Sequence, residues 1–172
     1  MTIVNPNHAE FKTQDAVSYN PVAQSFDRFV TQLSAPVAAR LVALAGLAPD
    51  NHVLDVGAGT GIVALRAVAE MGPSGRGVGI DLSDGMLEVA RQNARGRGLA
   101  DRVEFRKMDA ESLDCKDGSF DAVVSLFALR HFPHPETALQ EMHRVLRPGG
   151  RLVLAVGSGA PWLSLVGLVH RL

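Results

Sequence analysis

Asp55-Val56-Gly57-Ala58-Gly59-Thr60-Gly61 is the densest chemical signal in the sequence. Glycine at every second position leaves a loop nearly bare of side chains, so a ligand can press against its backbone N–H groups. The spacing puts Ile62 where the dinucleotide fingerprint G-x-G-x-x-G needs glycine, and Asp55, two residues before the first glycine, would repel a phosphate. The loop therefore disfavours a pyrophosphate and suits a ligand that carries an ammonium group. Asp81 follows twenty residues after Gly61. An acid at a strand end there can accept both hydroxyls of a ribose, each charged hydrogen bond contributing about 1.5–3 kcal/mol. A plain tight turn and a solvated aspartate are the simpler readings of each feature alone, and their joint spacing is what favours a binding site.

Three histidines, His131, His134 and His143, fall close together. Neither cysteine nor a paired carboxylate accompanies them at a known ligand spacing, so no metal is expected. A single cysteine, Cys115, excludes an intramolecular disulfide and a thiolate-rich centre, fits a reducing compartment and reads as an ordinary thiol. Seventeen basic against eighteen acidic side chains give a net charge of −1, too little field to hold a polyanion by counterion release. Nucleic acid is not an expected partner. The opening MTIVNPNHAEFK lacks the basic start and apolar run of a signal peptide, which predicts a cytoplasmic location.

These groups need strands and helices to aim them. The chain has 172 residues, 47% hydrophobic and 20% charged, enough for one ordinary globular domain with a short appendage. Residues 53–56 and 77–80 read as short buried strands. Between them, 62–71 places Ile62, Leu65, Val68 and Met71 on one helical face before Gly72-Pro73 breaks it. A second helix over 86–94 starts behind Ser83 and Asp84, either of which can cap it. Residues 103–108 alternate, 122–124 are continuously apolar, and 151–156 close a fifth strand, preceded by a helix over 135–146 that Pro148-Gly149-Gly150 stops. This alternation predicts an α/β fold: a doubly wound, mostly parallel sheet, helices on both faces, and a ligand crevice at the strand carboxyl ends. Residues 1–47 contain no strand-like run. There Phe26, Val30, Leu33, Val37, Leu41 and Leu44 recur at helical intervals, predicting one or two helices that cap a 48–157 core. Residues 152–169 run eighteen positions without a charge, but Gly157, Ser158, Gly159 and Pro161 interrupt them. A buried strand, a turn and the start of an apolar helix over 158–172 explain the run better than a membrane span.

The segments VLDVGAGTG, GIDLSDGMLEVARQNA, MDAESL and FDAVVSLFALRHFPHPETALQEMHRVLRPGGRLVLAV, in this order, resemble the class I S-adenosylmethionine-dependent methyltransferases. The likeness is strongest to their ubiquinone/menaquinone-biosynthesis-like small-molecule group, and it spans about residues 19–156. It implies a Rossmann-like sheet, S-adenosyl-L-methionine as cofactor with S-adenosyl-L-homocysteine as product, and methyl transfer by in-line displacement to a small-molecule acceptor. By the resemblance, Asp55, Gly57, Ala58, Gly59 and Gly61 receive the methionine part, with Thr60 in the same turn. Asp81 holds the ribose and Leu82 packs on adenine. Asp109 and Ala110 address the adenine edge, Ser125 and Leu126 lie beside the methionine part, and Tyr19 and Phe26 match aromatic positions of an N-terminal lid. Holding two reactants in near-attack geometry removes about 7–11 kcal/mol of barrier, more than a positioned base adds at roughly 10²–10⁴-fold. For an acceptor that must lose a proton, His131 is the candidate base; a packing histidine is the plainer reading.

Two departures narrow the acceptor. The aromatic-flanked proline motif of exocyclic-amine methyltransferases is replaced by Ser125-Leu126-Phe127-Ala128, and the Pro-Cys nucleophile of pyrimidine-carbon methylation does not occur. The family continues after its fifth strand with a helix and an antiparallel hairpin, whereas this sequence runs about sixteen residues further, so the hairpin is expected to be missing, as in a truncated domain. Trp162, Leu163, Leu165, Val166, Leu168 and Val169 make that tail apolar enough to seek cover from a partner or a second copy of the chain in a homo-oligomer. Two other classes compete. A non-catalytic S-adenosylmethionine- or S-adenosylhomocysteine-binding or interaction module suits the missing hairpin, and a nicotinamide-dependent dehydrogenase shares the sheet but not the glycine spacing or Asp55.

Overall fold

The computed structural model describes residues 8–157 and 165–171. Five strands run parallel: β1 (His52–Val56), β2 (Arg76–Asp81), β3 (Val103–Lys107), β4 (Phe120–Leu126) and β5 (Leu146–Gly157). With β6 (Leu165–Arg171) they form one sheet in the order β3-β2-β1-β4-β5-β6. The central strands are continuously apolar because both of their faces are covered. Along β1, Val53 packs with α2 (Ala23–Ala45), α3 (Ile62–Glu70) and α4 (Asp84–Gly96) on one face. Leu54 and Val56 pack on the other, with Ala138, Met142 and Val145 of α5 (Pro135–Val145). Period two thus sends Asp55 to the same side as Val53, towards the start of α3.

Local chemistry sets the helix starts. Of the two candidate caps before α4, Ser83 takes the position, its Oγ accepting the Met86 N–H at 3.2 Å, and Asp84 becomes the first helical residue. Gly61, at φ 87°, begins α3 directly from the glycine loop. Upstream, α1 (His8–Tyr19) and a 3₁₀ turn, Asn20–Val22, precede α2. The second half of α2 belongs to the main core, with Ala38, Leu41, Val42 and Ala45 buried. No helix among the described residues is long and apolar enough to cross a membrane.

The tail departs from expectation. Instead of starting a helix within 158–172, Leu165–Arg171 forms β6, antiparallel to β5 in the register Arg151↔Arg171 through Gly157↔Leu165. A continuously apolar run has no period that distinguishes a buried strand from a helix. The outer edge of β5 also presents a row of backbone groups that a further strand can pair. The sheet therefore closes on a single antiparallel strand, and a hairpin partner for it is not found among the described residues. Trp162 and Leu163 lie outside them.

Candidate functional site

The strand order reverses between β1 and β4, and the crevice beyond their carboxyl ends is where such sheets take ligands. A cavity of about 790 Å³ opens there. Tyr19, Phe26, Asp55, Gly57, Ala58, Gly59, Thr60, Asp81, Leu82, Asp109, Ala110, Leu126 and His131 all line it. Gly61 and Ser125 do not. The Gly61 N–H donates to Ala58 O at 2.9 Å, and a Cβ on Gly61 would come within 2.8 Å of Phe105. Ser125 is buried, its Oγ donating to Val56 O at 2.7 Å. Both brace the site from behind.

The glycine loop is folded back on β2. Gly57 and Ala58 N–H groups both donate to Ile80 O, at 2.9 and 2.8 Å. Gly57 is at φ 72°, and a Cβ there would lie 2.2 Å from the Cβ of Ala128. Gly59, at φ 53°, has open space where a side chain would be, so the missing Cβ leaves room for a ligand. Asp81 joins this loop to the next turn: Oδ2 accepts the Gly59 N–H and Oδ1 the Ser83 N–H, each at 2.9 Å. Burial raises the Asp81 pKa, while the backbone donors and nearby His131 work against that rise.

Asp55 is 1% exposed. Its Oδ2 caps α3 by accepting the Ala64 N–H at 2.9 Å, whereas Oδ1 has no hydrogen-bond partner. Burial, reinforced by the charge of Asp81 and opposed by the Ala64 bond, pushes its pKa up from 3.8 to about 7. The native state then keeps a proton that the unfolded chain releases above pH 3.8. This group's stabilisation is complete below about pH 4 and is lost as pH rises to about 7, by roughly 4 kcal/mol at most. Chemical denaturation at pH 5 and pH 8 should show wild type losing stability relative to Asp55→Asn over that interval. An unchanged difference between the two proteins would mean that Asp55 is ionised throughout.

Several residues in and around the cavity wall have partners that no local signal named. Lys12 reaches Asp109 and Glu111, and Asp15 Oδ2 lies 3.1 Å from His131 Nδ1, across about a hundred positions of sequence. Asn20 Oδ1 accepts the Gly85 N–H at 2.9 Å and the Ser83 hydroxyl at 2.8 Å, tying the 3₁₀ turn to the start of α4. The Asn20-Pro21 dipeptide was a legible turn signal for it. Tyr19 meets Phe26 and His131 edge-on, at centroid distances of 5.7 and 5.6 Å. Burial raises the Tyr19 pKa. Phe127 is the one described non-glycine residue at positive φ, 59°, a conformation that bulky side chains seldom adopt and that is typical of functional loops. Among the described residues no three His, Cys, Asp or Glu side chains gather as a metal site.

Residues 54–154 match the family described as Methyltransferase domain. A ubiquinone/menaquinone biosynthesis C-methyltransferase, UbiE, of Ectopseudomonas mendocina is 42% identical over 127 residues, covering 73% of this chain and 50% of that protein. The chain spans about half the length of the curated relatives it matches. Among solved structures, the [4+2]-cyclase SpnF superposes with a TM-score of 0.77 at 28% identity, over 84% of this chain and 60% of that one. YcgJ from Bacillus subtilis gives 0.65 at 33% identity, over 69% and 49%. The Rossmann-like sheet, the glycine loop joined to a strand-two acid, and a family match across most of the α/β core agree, and the chain belongs to the class I S-adenosylmethionine-dependent methyltransferase family.

Proposed function

We propose that the cavity holds S-adenosylmethionine and that the chain takes part in methyl transfer to a small molecule. The buried Asp55 Oδ1 carries this reading: an acceptor without a partner, beside a glycine cradle, needs a donor such as the ammonium of a methionine moiety. Asp55, Gly57, Ala58, Gly59 and Thr60 would hold that end, supported by Ser125, Leu126 and Gly61. Asp81 would take the ribose on its remaining lone pairs, and Leu82, Asp109 and Ala110 the adenine. When bound, the cofactor supplies a methyl group on a sulfonium, which an in-line nucleophile displaces.

The chain's own task is alignment and exclusion of water. Tyr19 and Phe26 wall the cavity on its lid side. His131, at the mouth and held through Nδ1 by Asp15, would take a proton from an acceptor. The relatives named as C-methyltransferases favour carbon as the accepting atom. The reading also includes a cytoplasmic setting, and a second copy or partner chain at the sheet edge beside β6.

Calorimetric titration with S-adenosylmethionine and S-adenosylhomocysteine tests the site. Micromolar binding of both is expected, and below pH 7 it should release a proton from Asp55, seen as a heat that depends on the buffer's ionisation enthalpy. His131→Ala should keep S-adenosylhomocysteine affinity within about threefold while slowing turnover by roughly 10²-fold or more. A folded chain that binds neither compound sinks the proposal.

A further inference from the structure

Helix α1 lies at the mouth of the cavity with none of its residues buried, and Phe11 and Val17 are left 41% and 57% exposed. Apart from Tyr19, which packs against Ala23, Met86 and Val89, the helix gains little from the hydrophobic effect, so directed contacts carry much of its docking. The shortest belong to Lys12, whose Nζ stands 2.7 Å from Asp109 Oδ2 and 2.6 Å from Glu111 Oε2. Its side chain is only 16% exposed and that of Glu111 only 7%. The second oxygens of both acids are already engaged. Asp109 Oδ1 accepts the Glu111 N–H and Glu111 Oε1 the His134 N–H, each at 2.9 Å.

Two neighbouring carboxylates thus share one cation, and that cation comes from the lid. Withdrawing it leaves like charges side by side, one of them nearly buried, a costly state because Lys12 makes the ion pairs to both acids found among the described residues. Asp109 is 34% exposed, so the Lys12–Glu111 contact is the protected one; Asp15–His131, at 29% and 28%, is more exposed than it on both sides and is the weaker tie. His8 also meets His134 near Glu111, ring centroids 4.4 Å apart and planes tilted by 43°, which adds a second contact of α1 beside the Lys12 pair.

We infer that Lys12 is the latch of this lid: it fixes the Asp109 carboxylate at the adenine end of the crevice, and its release from Asp109 and Glu111 sets the rate at which bound cofactor leaves. This rests on the reading of the crevice as an S-adenosylmethionine site. Lys12 acts through Asp109 and through α1, so it is a positioning residue. In the ligand-free protein its loss frees α1. With ligand bound, the same loss shortens residence more than it slows entry, since an open mouth admits as readily as it releases.

Lys12→Met keeps the stem and removes the charge; Lys12→Arg keeps both ion pairs. Amide hydrogen exchange on the ligand-free proteins should show protection in α1 falling about tenfold in Lys12→Met, with α4 unchanged as the sign of an intact core. Stopped-flow displacement should show S-adenosylhomocysteine leaving Lys12→Met about tenfold faster, and Lys12→Arg within about threefold of wild type in both assays. Exchange in α1 and dissociation both within twofold of wild type in Lys12→Met would overturn the latch. If wild type fails to bind S-adenosylhomocysteine, the cofactor reading falls, and the exchange result alone decides whether Lys12 holds α1.

Discussion

Asp81→Ala should weaken S-adenosylhomocysteine binding by two orders of magnitude or more. Two effects combine. The substitution removes the acceptor for the ribose hydroxyls, at about 1.5–3 kcal/mol for each charged hydrogen bond. It also releases the Gly59 and Ser83 N–H groups, so the loop that should be ready before the ligand arrives loses its tie to the β2–α4 turn. The fold itself should survive, because burial already disfavours the Asp81 carboxylate and removing it relieves that cost. Titration calorimetry beside a thermal melt separates the two effects. Affinity within threefold of wild type would remove Asp81 from the site.

Gly57→Val should lower the melting temperature by roughly 10 °C and abolish ligand binding. The residue sits at φ 72°, where a β-branched side chain is strained by about 1–3 kcal/mol. Its first carbon would also fall on Ala128, 2.2 Å away, adding an overpacking cost of about 1–3 kcal/mol. For a domain of this size each kcal/mol corresponds to about 2–4 °C. Gly96→Ala is the control: Gly96 ends α4 with open space around it, and its melting temperature should stay level or rise slightly. Equal behaviour of the two variants would show that the loop tolerates a side chain.

The parallel sheet was legible because its central strands β1, β2 and β4 are short and apolar, because β3 alternates, and because the intervening helices keep a clear period. The glycine loop and Asp81 were legible for a related reason, since their roles follow from neighbours in sequence. The lid was not. Lys12, Asp15 and Asn20 find their partners 63 to 116 positions away, and nothing near them in the chain announces those partners. Asp55 was half legible: its position before the loop pointed to a ligand, but its capping of Ala64 appears only once β1 and α3 are side by side. β6 misled because uniform apolarity erases the period on which the reading depends.

The sparse burial of α1 has a thermodynamic consequence. Heat capacity of unfolding follows the apolar area exposed, so detaching this helix changes it very little. Opening of the lid would therefore add almost no curvature to the temperature dependence of its equilibrium, which enthalpy alone would set. Ionic strength would act on it chiefly through the more exposed Asp15–His131 pair, since the shielded Lys12–Glu111 contact is screened much less. Salt would then reach the lid at its exposed tie while leaving the shielded latch and the sheet beneath it in place.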